Sequence, residues 1–205
     1  MSKVVDTSAS FKDRYIEIES AATHAHGPVG EHTHGGVAFT TWLDHSLAVR
    51  QAEAIRNGLT KMLPDRAKEL SHNFEALKSD IDSLDAHLAE LIKEHGATLL
   101  LASHPVYQYF ARRYRLRIKS LHWESSEVPD DRQWAELDKL LEEHPAKWMI
   151  WETMPNPETE EKLRERRVRC VVFSPCGNVP RDGDYLQIMQ RNIEMFKLVF
   201  RSQLE

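Results

Sequence analysis

The sequence predicts an α/β fold, in which a long kinked interlobe helix is followed by a four-stranded parallel sheet lobe with flanking helices. Two patterns support this prediction. Apolar residues recur at three- and four-residue spacing from Trp42 to Ile92, which is the period of an amphipathic helix. After Gly96, short apolar runs alternate with helical patterns, and this alternation is typical of βαβ units and a parallel sheet.

The helical stretch divides at Pro64, because proline breaks or kinks an α-helix. The first run ends near Leu59. The second extends from Phe74 to Ile92 and stops at Gly96, a residue type that commonly terminates helices. Joined end to end, the two runs would form a kinked rod of roughly 60 Å, at about 1.5 Å per residue. We expect no strand within residues 46–61 or 65–94.

Four strands, each followed by a helix, are predicted in the remaining chain. The strands cover residues 98–102, 118–121, 148–151 and 168–173, and the helices cover residues 106–114, 131–143, 157–166 and 184–201. Ligands of parallel sheets bind beyond the carboxyl ends of the strands. The polar residues that follow the four strands are Ser103 with His104, His122, Glu152 and Ser174. We therefore expect their side chains to gather at one edge of the sheet.

The amino-terminal part has no such periodicity. Residues 1–18 begin with the β-prone pair Val4 and Val5 and are interpreted as the tail of a strand followed by a loop. Residues 21–36 are rich in histidine and glycine and contain one proline, so a mobile loop is predicted there. The predicted division is therefore residues 1–36, a helical linker over residues 37–96, and an α/β lobe over residues 97–205.

Composition excludes several classes of protein. The 205 residues carry a formal net charge of −5, so neither nucleic acid nor an anionic membrane surface is an expected partner. No apolar run is long enough for a membrane helix, and the polar amino terminus lacks the apolar core of a signal peptide. Cys170 and Cys176 do not form a CxxC motif, which excludes a thiolate zinc cluster and leaves a disulfide open.

Histidine is unusually abundant, with eleven in the chain. Four of them, His24, His26, His32 and His34, form two H-x-H pairs in the predicted loop. Neutral imidazoles suit Zn²⁺, Cu²⁺ or Ni²⁺. The alternative is a solvated, low-complexity loop in which the histidines are incidental. Repetition of the pair favours metal contact by at least one of the four.

His104 stands at a strand end, where its ring could enter a crevice while a carboxylate or carbonyl orients the second nitrogen. A hydrogen-bonded structural histidine is the alternative. Glu152 is predicted to orient a metal ligand, with direct ligation and helix capping as alternatives, and His122 is a weaker candidate of the same kind. The remaining histidines are predicted to be surface residues: His45, His72, His87, His95 and His144.

Several segments resemble the zinc-uptake periplasmic solute-binding proteins of ABC transporters, a family that also handles manganese. Residues 103–116 (SHPVYQYFARRYRL) are similar to the strand–histidine–helix segment of that family and form the most specific match. Residues 35–44 (GGVAFTTWLD) resemble its lobe junction. Residues 173–177 (FSPCG) and 183–192 (GDYLQIMQRN) resemble its last strand, site loop and closing helix. The likeness extends from Val4 to Phe200.

The resemblance implies two lobes joined by a long rigid helix, with the metal in the cleft between them. Ligand histidines come from the amino-terminal lobe, the junction and the strand–histidine–helix segment, and an acidic residue often completes the set. Here Thr40 stands at the junction position and Ser174 replaces the acid, so we expect His34 or His32 to substitute for the junction histidine. The expected metal-site residues are His104, His34, His32 and Glu152.

The function implied by the resemblance is extracytoplasmic binding of Zn²⁺, or alternatively Mn²⁺, by a monomer that serves an ABC transporter permease and catalyses nothing. Residues 1–36 would be a remnant of the first lobe, and we favour a misplaced start codon or gene fragment over a naturally half-sized protein. One alternative is a metal buffer or chaperone. A zinc hydrolase with Glu152 as general base lacks HExxH or comparable spacing. A helical interaction protein built on residues 46–95 is the third alternative.

Overall fold

The computed structural model describes residues 4–18, 24–25, 31–32, 36–93, 98–180 and 182–201. The α-helices are α1 (His45–Met62), α2 (Ala67–Lys93), α3 (Gln108–Tyr114), α4 (Asp131–Glu143), α5 (Pro157–Glu165) and α6 (Tyr185–Arg201). The strands are β1 (Glu17–Ile18), β2 (His24–Ala25), β3 (Glu31–His32), β4 (Gly36–Val37), β5 (Leu99–Ala102), β6 (Arg117–Ser120), β7 (Trp148–Trp151) and β8 (Arg169–Val172). Short 3₁₀-helices cover Ala9–Arg14, Thr41–Leu43 and Pro64–Arg66.

The carboxy-terminal half is built on a parallel sheet with the strand order β6-β5-β7-β8. This arrangement confirms the predicted fold class, and the strands begin and end within two residues of the predicted bounds. From β5 the chain first crosses to β6 on one side and later places β7 on the other side. The strand order therefore reverses between β5 and β7, and ligand crevices of parallel sheets form outside the carboxyl ends of the strands at such a point.

The two faces of the sheet bury separate hydrophobic clusters, because successive side chains of a strand point to opposite faces. Along β5, Leu100 and Ala102 pack into a cluster with Phe196 of α6, to which α2 and α3 also contribute. Leu101 points the other way and packs with Trp134 of α4 and with α5. All three β5 side chains are fully buried. The carboxyl end of β5 is consequently held from both faces.

The predicted helices α1 and α2 are present, and the described part of residues 46–61 and 65–94 contains no strand. They do not form the extended rod of roughly 60 Å that the sequence predicted. The guanidinium of Arg56 lies 4.9 Å from the centre of the Phe74 ring, and His45 at the start of α1 is electrostatically coupled to Asp85 near the end of α2. The chain therefore reverses at Pro64–Arg66, and α1 and α2 lie side by side.

The predicted strand remnant at the amino terminus is wrong. Residues 4–6 are irregular, and the 3₁₀-helix Ala9–Arg14 follows them. Val4 is 82% exposed, whereas Phe11 is fully buried against Tyr109 and Leu47. A pair of β-prone valines is too short to form a strand without a neighbouring edge.

The histidine-rich segment is not wholly irregular, in contrast to the predicted loop. β1 pairs with β4, and β2 pairs with β3 in the antiparallel sense, with His24 directly opposite His32 in the backbone register. His26 and His34 lie outside the described residues. Backbone pairing between the two H-x-H motifs was not foreseen because neither motif has strand periodicity.

None of the helices in the described part of the chain combines the length and the apolar composition needed to span a bilayer. Cys170 and Cys176 are both free thiols, which resolves the disulfide that the sequence left open. The domain boundaries near residues 36 and 96 stay a prediction.

Candidate metal centre

The segments that follow β5, β6 and β7 continue side by side beyond the ends of the strands. The Ser103 N–H donates to the Ile150 carbonyl oxygen at 2.9 Å, and the Trp123 N–H donates to the Ser103 carbonyl oxygen at 2.8 Å. These bonds extend the pairing of the sheet past its last strand residues. His104 and Glu152 therefore flank the reversal between β5 and β7, where the sequence predicted that polar side chains gather.

His104 is held by a hydrogen bond to the backbone. Its Nδ1 lies 3.3 Å from the carbonyl oxygen of Trp123. A carbonyl oxygen can only accept, so Nδ1 carries the proton and Nε2 of the neutral ring keeps its lone pair. Nε2 lies 3.6 Å from Oε1 of Glu124, and the His104 side chain is 22% exposed. Metal-binding histidines are commonly oriented in this way by a carbonyl behind the ring.

His122 and Glu124 lie on the same side of an extended segment, two residues apart. Trp123 between them is buried and packs edge-on against Trp134, with ring centres 4.8 Å apart, whereas His122 and Glu124 are exposed. The rings of His122 and His104 meet edge-on with centres 6.0 Å apart. Sequence reasoning missed Glu124. One sequence signal could have indicated Glu124: two polar residues, His122 and Glu124, flank an aromatic residue just after a predicted strand, so their side chains point to the same side.

Glu152 lies directly after β7 and is half-buried. Burial raises the pKa of its carboxyl above the ordinary value, His104 lowers this pKa, and Glu124 raises it further. Glu152, His104 and Glu124 therefore share one electrostatic environment. Imidazole and carboxylate groups together are the donors that Zn²⁺ accepts, and carboxylates also suit Mn²⁺.

Within the ranges that the structure describes, no group of three or more histidine, cysteine, aspartate or glutamate side chains could hold a metal ion. The described residues by themselves therefore supply no complete metal site. The participation of His32 stays a prediction, because only its backbone is described, and His34 falls outside the described residues.

The two positions where the resemblance expects further ligands hold groups with structural contacts. Thr40 is buried, and its hydroxyl donates to the carbonyl oxygen of Val106, two residues after His104. The Ser174 N–H donates to Oδ1 of Asn192 at 2.9 Å, and Nδ2 of Asn192 donates back to the Ser174 carbonyl oxygen at 2.8 Å. The Ser174 hydroxyl accepts from the Cys176 N–H. Thr40 and the Ser174 loop therefore anchor the backbone around the site.

Two histidines predicted to be surface residues are buried, and that prediction is wrong for them. His144 is 5% exposed, and its Nε2 lies 2.9 Å from the Leu100 carbonyl oxygen. His45 is 1% exposed, and its Nδ1 lies 2.6 Å from the Tyr114 hydroxyl. Both lie where a helix end meets the core, a position that helical spacing alone does not reveal. His72 and His87 are exposed as predicted, and His95 lies outside the described residues.

Comparison with known proteins identifies the family. The chain matches the ZnuA family, described as "Zinc-uptake complex component A periplasmic", over residues 1–198. The chain belongs to the ZnuA family. This confirms the resemblance found in the sequence.

Relatives of this ZnuA-family chain include streptococcal and treponemal proteins. It is 23% identical over 184 residues to the zinc-binding protein AdcA of Streptococcus pyogenes serotype M18 (strain MGAS8232), a match that covers 85% of this chain and 36% of AdcA. It is 28% identical over 82 residues to the zinc-binding protein TroA of Treponema pallidum (strain Nichols), covering 39% of this chain and 27% of TroA. The chain therefore spans little more than a third of the length of AdcA.

Solved structures share the fold of this ZnuA-family chain. The Zn(II)-bound ZnuA-like domain of Streptococcus pneumoniae AdcA superposes with a TM-score of 0.72 at 20% identity, over 80% of this chain and 64% of that domain. The solute-binding protein FpvC of Pseudomonas aeruginosa in complex with Mn²⁺ gives a TM-score of 0.73 at 20% identity, over 98% of this chain and 71% of FpvC.

Proposed function

We propose that this protein binds zinc as the solute-binding component of an ABC-type importer and catalyses no reaction. The observation that carries the proposal is the His104 ring, whose Nδ1 is fixed by the Trp123 carbonyl and whose Nε2 is presented at the carboxyl edge of the sheet. Membership of a family described as a zinc-uptake complex component supports the same cargo. Mn²⁺ is the alternative cargo, since the related fold of FpvC was solved with Mn²⁺.

His104 is the principal ligand in this proposal. A side chain held on a strand end, with a carbonyl behind its ring, is preorganised for metal binding. His32 and His34 are proposed as donors from the histidine-rich segment, where four near-equivalent imidazoles can replace one another. Glu152 either orients His104 or contributes an oxygen ligand, and its position directly after β7 supports both roles.

The proposed partner is an ABC transporter permease, and the proposed location is the periplasm or another extracytoplasmic compartment. The description of the family as a periplasmic complex component supports both. We propose that the protein acts as a monomer.

Isothermal titration of chelator-treated protein tests the cargo. We expect about one Zn²⁺ per chain, and we expect His104→Ala to weaken binding more than any single alanine substitution among His24, His26, His32 and His34, because only His104 is preorganised. His87→Ala, which changes an exposed histidine on α2, is the matched control and should leave the affinity unchanged. Absence of both heat and retained metal with Zn²⁺ and Mn²⁺ would contradict the proposal.

A further inference from the structure

We propose that Trp134 of α4 is a positioning residue for His104 and acts through the backbone carbonyl of Trp123. This role rests on the proposed metal-binding function, and it concerns which ring nitrogen of His104 can meet a metal. A neutral imidazole binds a metal only through the nitrogen that carries no proton. The position of one proton therefore decides whether Nε2 of His104 is available at the edge of the sheet.

Two acceptors compete for that proton. The Trp123 carbonyl oxygen lies 3.3 Å from Nδ1 of His104, and Oε1 of Glu124 lies 3.6 Å from Nε2. With the proton on Nδ1, the ring donates to the carbonyl and keeps the Nε2 lone pair free. The charged carboxylate of Glu124 is the stronger acceptor, but it stands beyond hydrogen-bonding distance. A small retreat of the Trp123 carbonyl would therefore move the proton to Nε2 and remove the lone pair that a metal needs.

The backbone of Trp123 is held at two points. Its N–H donates to the Ser103 carbonyl oxygen at 2.8 Å, which continues the pairing of the sheet. Its side chain is 3% exposed and packs edge-on against Trp134, with ring centres 4.8 Å apart and an interplanar angle of 69°. The ring of Trp151 lies farther away, at 6.3 Å. Because edge-on aromatic pairs are directional, the indole of Trp134 fixes the depth and tilt of the Trp123 ring, and with them the direction of the carbonyl.

Trp134 is itself fixed by polar contacts. Its side chain is 5% exposed, and its Nε1 donates to the Pro129 carbonyl oxygen at 2.9 Å, just before α4 begins. The guanidinium of Arg166 lies over the ring, 4.6 Å from its centre. A chain of packed groups consequently leads from α4 through Trp134 and Trp123 to Nδ1 of His104.

NMR of ¹⁵N-labelled histidine tests the inference on the full chain, after chelator treatment and at an alkaline pH where imidazoles are neutral. Loss of resonances in His104→Gln assigns the His104 ring, and in the wild type we expect its proton on Nδ1. Trp134→Leu removes the ring that holds Trp123, so the ratio of Nε2-protonated to Nδ1-protonated His104 should rise by about fivefold, the effect of one lost hydrogen bond on an equilibrium. Trp134→Phe keeps an aromatic ring and should stay close to the wild type.

Trp148→Leu is the matched control. Trp148 is 7% exposed, but it is the first residue of β7 and packs into the cluster on the other face of the sheet. This variant should lose stability as Trp134→Leu does and keep the wild-type tautomer of His104. Zinc competition against a chromophoric chelator gives a second readout. Trp134→Leu should weaken binding by up to about tenfold, the lower limit for loss of a group that contacts a ligand directly.

A proton on Nε2 in the wild type, or a wild-type tautomer and zinc affinity in Trp134→Leu, would overturn the inference. Circular dichroism checks folding, and if Trp134→Leu does not fold, Trp134→Met takes its place because methionine fills irregular space without a ring. If the tautomer shifts as expected but the wild-type protein binds no zinc, the proposed function fails and the positioning of the His104 ring by Trp134 stands. If the wild-type protein binds zinc and the tautomer does not respond to Trp134, the inference fails and the proposed function stands.

Discussion

His45 occupies a buried position at which a second ring proton has no favourable place, and replacing it tests the electrostatics of the contact among α1, α2 and α3. The Tyr114 hydroxyl donates to Asp85 at 2.8 Å, so it can only accept from Nδ1 of His45 at 2.6 Å. Nε2 of His45 is buried and makes no hydrogen bond. An imidazolium at this position would bury a charged N–H group without an acceptor.

Burial lowers the pKa of His45 from 6.5 to about 4, with Asp85 and Asp44 opposing the change and Arg113 adding to it. The unfolded chain therefore takes up a proton near pH 6.5, while the folded protein resists protonation down to about pH 4. The stability that neutral His45 contributes is complete above its pKa of 6.5 in the unfolded chain. This contribution is lost as the pH falls from 6.5 to about 4. Between about pH 7.5 and about pH 4.5 the loss amounts to about 2.5 kcal/mol.

Urea unfolding with chelator present, measured across that pH range, checks the prediction. His45→Gln keeps a donor for the Tyr114 hydroxyl but cannot titrate, so its free energy of unfolding should fall by about 2.5 kcal/mol less than that of the wild type. His72→Gln, an exposed change on α2, is the control and should follow the wild-type curve. Parallel curves for wild type and His45→Gln would refute the reasoning.

Three further predictions concern stability. Leu88→Ala removes a fully buried side chain and should lower the free energy of unfolding in urea by about 2–5 kcal/mol. Leu198→Ala, at a position 42% exposed, should lower this free energy far less. Equal losses in the two variants would argue against the packing of α2 on the lobe. Asp130→Ala removes the capping box of α4 and should lower the free energy of unfolding by about 1 kcal/mol, which Asp130→Asn should largely avoid. Thr40→Val leaves the Val106 carbonyl oxygen without its donor and should lower the free energy of unfolding by about 1–3 kcal/mol. Thr40→Ser keeps the hydroxyl and should retain most of that stability. Equal stability of the two variants in thermal unfolding would contradict this hydrogen bond.

Much of the fold follows from the sequence because it depends on periodicity between near neighbours. Helix α4 and strand β7 have the predicted bounds, and Pro64 marks the break between α1 and α2 as expected. The locations of His104 and Glu152 at strand ends follow from the same reasoning, since a parallel sheet brings those ends to one edge.

Tertiary contacts decided the rest. The sequence could not indicate that α1 and α2 turn back on each other, or that the first residue of α1, His45, lies in the core against Tyr114, 69 residues away. It also could not place Glu124 beside His104, because that approach depends on how the segment after β6 continues along β5. The spacing of apolar residues along the chain determines which face of a helix or strand is apolar. Which side chains become buried, and which become neighbours, depends on which of these faces pack together. That packing involves residues far apart in the sequence.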